Sequence, residues 1–223
     1  MVSVIITSHN YGKFIKDCVN SVLNNDQDLI EEIIIINDSS EDNTDDIIKK
    51  NFSKIKKIKY FKKNFLSLTK SLNFSINIAK SSWITKIDAD DYVTSSFFTK
   101  FCNFANEKDF DFIYGNLLIK DEIKKKEYLK NQNINKFLKF IKYPVGSGTL
   151  FSKKLWSEVG GFNESNYYQD DYDFWLKINK KSDIKIGYLN QAEYIYRKHQ
   201  NNMSKNIFKK NLTKIKVFLS NFN

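Results

Sequence analysis

Val2–Thr7 is an apolar run of strand length rich in β-branched residues, and Phe14, Cys18, Val22 and Leu23 follow it at helical spacing. The alternation then repeats. Glu31–Ile36 predicts a second strand, closed by Asn37-Asp38-Ser39-Ser40, and Thr44–Lys50 a short helix. Lys57–Phe61 predicts a third strand, Leu68–Ala79 a helix with Leu72, Ile76 and Ala79 on one face, and Trp83–Ile87 a fourth strand. Strands alternating with helices imply an α/β fold with a mainly parallel sheet, flanked by helices, whose ligands gather at the carboxyl ends of the strands. Three polar clusters, Thr7–Asn10, Asn37–Ser40 and Asp88–Asp91, fall at such ends. Their coincidence carries more weight than any one of them.

Beyond residue 91 the pattern is less regular. Phe97–Phe104 reads as a helix, Phe110–Tyr114 as a strand, and the lysine-rich stretch Asp121–Lys142 as a mobile linker and helix. Thr149–Ser152 predicts another strand, entered through Gly146-Ser147-Gly148. Asp170–Lys180 predicts a helix, followed by short strands at Ile184–Tyr188 and Ala192–Tyr196. Met203–Phe222 is a basic amphipathic tail with Ile207, Phe208, Leu212, Ile215 and Leu219 along one side. The expected organisation is one domain over 1–200, with a nucleotide-binding half (1–91) and an acceptor and catalytic half (92–200), followed by the tail (201–223).

Composition narrows this picture. With 223 residues, 41% of them hydrophobic and 15% aromatic, the chain is globular rather than disordered and can bury a full core. No apolar run approaches the roughly 20 residues of a membrane span, and the expected location is the cytoplasm, or the inner face of the cell membrane if the basic tail rests on lipid. Cys18 and Cys102 lack metal-ligand spacing and read as buried free thiols. The net charge of +10 admits an anionic partner, yet Arg197 is the only arginine, whereas readers of nucleic acid draw heavily on that residue. No nucleic-acid partner is expected. The excess of lysine, asparagine and isoleucine reads as coding bias more than as a binding signature.

The cluster Asp88-Ala89-Asp90-Asp91 puts three carboxylates in four positions. Such charges repel unless a cation sits among them, and hard divalent ions prefer carboxylate oxygens; the plainer reading is a solvated acidic turn. Three ordered segments decide between them. Val2-Ser3-Val4-Ile5-Ile6-Thr7-Ser8-His9-Asn10-Tyr11-Gly12, then Glu32–Thr44 with Asn37-Asp38-Ser39-Ser40 at its centre, then Asp88-Ala89-Asp90-Asp91 resemble the signatures of family-two GT-A glycosyltransferases. Val159-Gly160-Gly161-Phe162-Asn163-Glu164 and Asp170-Asp171-Tyr172-Asp173-Phe174-Trp175 resemble that family's later "GGF" and "ED" segments. The resemblance runs from Val2 to about Ser204. It implies a GT-A fold with a Rossmann-like sheet and an inverting transfer of sugar from a nucleotide-sugar donor, a UDP-sugar above all. The acceptor would be a hydroxyl of a glycan or lipid-linked glycan, in the synthesis of a bacterial surface polysaccharide.

The resemblance also assigns roles by position. Asp38 matches the carboxylate that accepts a hydrogen bond from the base, with Thr7, His9 and Asn10 lining the same pocket. Asp90 matches the metal-binding aspartate, and Asp88 the one that reaches the ribose, or the metal through water; Mn²⁺ or Mg²⁺ suits such oxygen ligands. Asp91 is expected to serve the fold, capping the next helix. His199 resembles a C-terminal histidine that can join the metal shell, its alternative being a surface histidine in a basic loop. Arg197 and Lys198 would add charge against the diphosphate. Gly146-Ser147-Gly148 matches a glycine-bearing loop beside the donor, where glycine permits close backbone approach. Asn64–Asn73 matches the segment crossing the nucleotide site, but Leu66 and Leu72 stand where relatives often carry glycine and arginine, with Lys70 as a substitute cation. Asp171, or Asp170 if the alignment slips by one, matches the base that deprotonates the acceptor hydroxyl; both also suit a helix N-terminus on charge alone.

Three other classes fit less well. A sugar nucleotidyltransferase would open with a glycine-rich phosphate loop, and Thr7–Gly12 offers only Gly12. An EF-hand needs a central glycine and a distal glutamate that this cluster lacks. A non-catalytic basic module for nucleic acid or membrane is argued against by the scarcity of arginine in the first case. In the membrane version, the apolar side of the tail either packs on the domain, the reading preferred here, or rests on anionic lipid.

Overall fold

In the computed structural model, which describes residues 1–135, 138–165, 169–202 and 207–222, the first 91 residues follow the predicted alternation closely. The strands are β1 (Val2–Ser8), β2 (Ile30–Asp38), β3 (Ile58–Lys63) and β4 (Trp83–Asp88), separated by α1 (Gly12–Leu23), α2 (Thr44–Phe52) and α3 (Leu68–Ile78). All pair in parallel in the order β3-β2-β1-β4. Connections leave β1 in opposite directions, so a crevice opens at the carboxyl ends of β1 and β4. Ile33, Ile34, Ile35 and Ile36 read as one apolar run because helices cover both faces of the sheet; all four are fully buried. Each contributes roughly 1.5–3 kcal/mol by leaving water.

The second half continues the same sheet with mixed pairing. It adds β5 (Tyr92–Val93), α4 (Phe97–Lys108), β6 (Phe112–Asp121), β7 (Lys126–Lys130), β8 (Leu150–Ser152), α5 (Lys153–Glu158), α6 (Asp170–Lys180) and β9 (Ile186–Lys198). The full order is β3-β2-β1-β4-β8-β6-β9-β5, and β7 pairs with the far part of β6. One apolar layer, under α1, α2 and α4, gathers Val4, Ile6, Ile33, Ile35 and Ile87; the other, under α3, α5 and α6, gathers Ile5, Ile34, Ile36 and Ile84. Adjacent residues of one strand thus serve opposite layers.

Several expectations change here. The stretch 121–142 is not simply a linker and helix: β7 forms an antiparallel hairpin with β6, and its five residues are all exposed, so no apolar alternation marks it. Part of the expected helix, residues 136 and 137, lies outside the described residues. The two short strands foreseen at 184–196 are one strand, because register shifts around Asn116 accommodate the polar pair Asn190 and Gln191. Asp91 caps no helix; β5 follows it. Cys18 is buried and Cys102 half-buried, both as free thiols.

The tail forms α7 (Ile207–Phe222). It packs on the domain through Val217, which joins Tyr172 and Leu176 of α6. Leu212, Ile215 and Leu219, expected on the packed side, lie roughly half a turn away from Val217 and are 46%, 60% and 52% exposed. The contact side chosen by the fold is therefore not the more apolar one. Residues 203–206 of the predicted tail lie outside the described residues.

Candidate active site

A cavity of about 540 Å³ opens at the carboxyl ends of β1 and β4. Its walls include Thr7, Asp88 and Asp90 from those strand ends, Asp170 and Asp171 from the start of α6, and Lys86 from inside β4. Tyr128, Tyr196, Lys130 and Lys198 line the side formed by β7 and β9. Residues 83 positions apart in sequence, Asp88 and Asp171, thus share one space.

The strand-end carboxylates divide their work. Asp91 is buried, accepting a hydrogen bond from the Tyr194 hydroxyl at 2.6 Å and another from the Arg197 N–H at 2.7 Å. Burial, then the charges of Asp90 and Asp88, raise its carboxyl well above the ordinary range. It ties the end of β4 to β9. Asp90 points the other way: Oδ2 accepts from His199 Nε2 at 3.0 Å and from Asn202 Nδ2 at 3.2 Å. The Asn201 N–H donates to His199 Nδ1, so the proton of the imidazole sits on Nε2. The His199 ring packs at a tilt against Phe14, with centroids 4.4 Å apart. Asp88 lines the cavity, and burial, then the neighbouring Asp90 and Asp171 charges against the pull of Lys86, raises its carboxyl.

The donor set suits a divalent cation shared with a substrate. No group of three or more His, Cys, Asp and Glu among the described residues could hold an ion alone. Mg²⁺-like ions, however, are commonly held by one or two carboxylates with substrate phosphates and water completing the shell. Asp90, with Asp88 beside it, meets that need. His199 is a hydrogen-bond donor to Asp90 in this arrangement, and its Nε2 could become a ligand only by moving the proton to Nδ1, against the Asn201 N–H.

Other expected contacts are redirected. The Asp38 carboxylate is filled by the chain's own donors: the N–H groups of Phe65 and Leu66 on Oδ1, and the Ser67 N–H and Ser71 hydroxyl on Oδ2. A carboxylate offers about four acceptor sites, so a base ring finds none free unless the 65–67 segment lets one go. Leu66, foreseen as the odd residue in a glycine position, has φ +49° and is 71% exposed. That backbone region favours glycine, which explains the oddity. Leu72 lies in the core instead of reaching a ligand. Asn64 accepts from the Ser39 hydroxyl at 2.7 Å, and Lys70 is exposed on α3 away from the cavity wall.

Asn10, at φ +62°, accepts from the Glu41 N–H at 2.8 Å and staples the β1 loop to the β2 loop. His9 Nδ1 meets the Asp38 carbonyl at 2.7 Å. Arg197 does not face the cavity: its guanidinium lies between the rings of Phe14 and Tyr92 and meets Asp17 at 3.3 Å. Lys198 does line the cavity and pairs with Asp121 at 3.0 Å.

The acid pair of α6 is held from two sides. The Gly146 N–H donates to Asp171 Oδ2 at 3.0 Å, and any Cβ at Gly146 would collide with that carboxylate. Gly148, at φ +71°, has the Tyr194 ring where its own Cβ would stand. The two glycines therefore serve the acid pair and Tyr194, and Ser147 between them is buried with its hydroxyl beside the Asp88 carboxylate. Burial, reinforced by the Asp171 charge, pushes the Asp170 carboxyl up to about 7. Sequence reasoning gave no role to Lys86, Asn202, Gln169 or Tyr194. A lysine inside an otherwise apolar strand was the available signal for the first.

Sequence comparison now settles the family. The family described as Glycosyl transferase family 2 matches residues 3–161. The chain belongs to that family. It is 27% identical over 214 residues to the O-antigen biosynthesis glycosyltransferase WbnJ of Escherichia coli, covering 92% of this chain and 82% of WbnJ. It is 26% identical over 221 residues to the chondroitin synthase of Pasteurella multocida, covering 92% of this chain but only 21% of that synthase. The fold matches S. aureus TarS 1-349, solved in complex with UDP-GlcNAc, with a TM-score of 0.76 at 19% identity, over 90% of this chain and 59% of that one. The GT-A fold is thus shared. The chain spans about a fifth of the Pasteurella synthase and under two thirds of the TarS structure.

Proposed function

We propose that the chain transfers a sugar from a nucleotide-sugar donor, a UDP-sugar first among them, to a hydroxyl of a glycan or lipid-linked glycan in surface polysaccharide synthesis. The observation that carries this reading is that one cavity is lined both by Asp88 and Asp90 and by Asp170 and Asp171. The first pair suits the diphosphate end of a donor, the second an incoming acceptor. Bound Mn²⁺ or Mg²⁺ would offset the charge that builds on the departing nucleoside diphosphate.

Asp171, or Asp170, takes the proton of the acceptor hydroxyl. The acceptor oxygen forms its bond to the anomeric carbon as the bond from that carbon to the diphosphate oxygen breaks, and the electron pair leaves with the nucleoside diphosphate. One displacement inverts the anomeric centre. The 65–67 segment would open for the base, with Thr7, His9, Asn10, Asp38 and Asn64 around it.

Thermal-shift measurements with UDP-, GDP-, CMP- and dTDP-sugars, with and without Mn²⁺, test the donor, since a ligand of the folded state raises its stability. A Mn²⁺-dependent rise with a UDP-sugar is expected; no rise with any donor contradicts the reading. The anomeric configuration of the product tests inversion, and a sugar ester trapped on Asp170 or Asp171 would overturn it.

We also infer that α7 rests on anionic lipid at the inner face of the membrane. Its outward stripe of Leu212, Ile215 and Leu219 is exposed, and residues 207–222 carry four lysines and no acid. No described helix is long and apolar enough to cross a membrane. Flotation with phosphatidylglycerol vesicles is expected and should fail for Ile215→Asp/Leu219→Asp; equal binding to neutral vesicles contradicts the contact.

A further inference from the structure

Lys86 is out of place by every rule of side-chain burial. It stands in the middle of β4, paired on one side with Ile5 of β1, and only 4% of its surface is exposed. A buried ammonium is costly unless paired. Its Nζ lies 2.7 Å from Asp171 Oδ1 and 3.6 Å from Asp170 Oδ2. Neither of those oxygens takes a hydrogen bond from any other described residue. The Phe162 ring, which follows the paired glycines 160 and 161, lies 5.8 Å from Nζ and closes the other side. Alternation along the strand puts Lys86 on the same face as Asp88.

The acid pair is therefore not held by α6 alone. Asp171 is gripped at both oxygens: Oδ1 by the ammonium rising from β4, Oδ2 by the Gly146 N–H. Lys86 is also the one buried lysine among the described residues that meets acids of both clusters, sharing a strand face with Asp88 and pairing with the α6 acids. A shift of β4 relative to α6 would move the acids with respect to the cavity.

We propose that Lys86 is a positioning residue for the transfer reaction: it fixes the Asp171 carboxylate, and Asp170 beside it, at a set place relative to the strand-end carboxylates of β4. This rests on the reading that the α6 pair contains the base. The role differs from gripping the donor, because Lys86 spends its charge on protein acids. It differs from fold maintenance in where its loss is read.

Steady-state kinetics of the full chain with its donor separates these roles. Lys86→Met is expected to lower kcat about 100-fold, the scale of a 1 Å misplacement of a reacting group, with the donor KM changed less than about threefold. Lys86→Arg, which keeps the charge and can still reach both acids, is expected to recover kcat to within about tenfold of wild type. If Lys86→Met does not fold, Lys86→Gln, which keeps a hydrogen-bond donor without the charge, should show the same fall in kcat at unchanged KM. A wild-type kcat in a folded Lys86→Met variant overturns the proposal. So does a rise in donor KM with kcat preserved, or a Lys86→Arg variant no faster than Lys86→Met. Absence of transfer by the unaltered chain would instead count against the glycosyltransferase reading itself.

Discussion

The sheet half from β1 to β4 and the half from β5 to β9 place their candidate functional groups by different routes. In the first, Asp38, Asp88 and Asp90 sit at or just past strand ends, where parallel topology places ligand-facing residues regardless of side-chain detail. In the second, Asp170 and Asp171 open a helix beside Lys86 and Gly146, which are distant in sequence, and His199 follows a strand and meets Asp90 from the first half. The first half is a frame that presents its groups by topology; the second is held to it by individual polar contacts. Substitutions in the second half should therefore separate chemistry from stability more cleanly.

The largest effect is expected at the α6 acids. Asp171→Asn should remove turnover by at least about 100-fold while donor binding stays within about threefold, measured by rate and by titration on the same sample. Loss of turnover in Asp170→Asn alone would move the base by one residue. At the seam between the halves, Asp91→Ala should act on stability instead. It strands the Tyr194 hydroxyl and the Arg197 N–H, at a cost of about 2–4 kcal/mol read by denaturant unfolding. A fully stable Asp91→Ala variant would deny that Asp91 joins the halves.

How much of this was legible follows the same division. The four parallel strands, α6 and the acidic cluster were readable because periodicity and strand-end polarity are local signals. β7 was not, since a fully exposed edge strand shows no alternation, and neither was the unity of β9, whose polar pair Asn190–Gln191 mimics a turn. The outward stripe of α7 escaped because the packed face is chosen by Tyr172 and Leu176, not by the helix's own pattern. The filled carboxylate of Asp38 could not be foreseen, because its three backbone donors, Phe65, Leu66 and Ser67, come from a loop with no periodicity.

A medium effect lies in pH. Burial, then the Asp171 charge, pushes the Asp170 carboxyl from the ordinary 3.8 up to about 7, so the folded state binds its proton more tightly than the unfolded chain does. On this account Asp170 contributes stability below about pH 4 that is lost as pH rises towards 7. Asp170→Asn should flatten the stability profile across that window, as read by unfolding at a series of pH values; an unchanged slope would assign the titration elsewhere. The smallest effect is at Leu66, whose left-handed backbone should make Leu66→Gly stabilising or neutral, by at most about 1 kcal/mol in thermal unfolding. A clear loss of stability would show that the leucine side chain supports the 65–67 segment.

Strand-end carboxylates of the first half and a cation are together expected to hold the diphosphate facing the acids of the second. Calorimetric titration of UDP into the intact chain and into Asp90→Ala, each with and without Mn²⁺, tests it most directly. Mn²⁺ is expected to tighten UDP binding to the unaltered chain at least about tenfold, or about 1.4 kcal/mol, and to leave binding to a folded Asp90→Ala variant unchanged. Equal enhancement by Mn²⁺ in both proteins would contradict it.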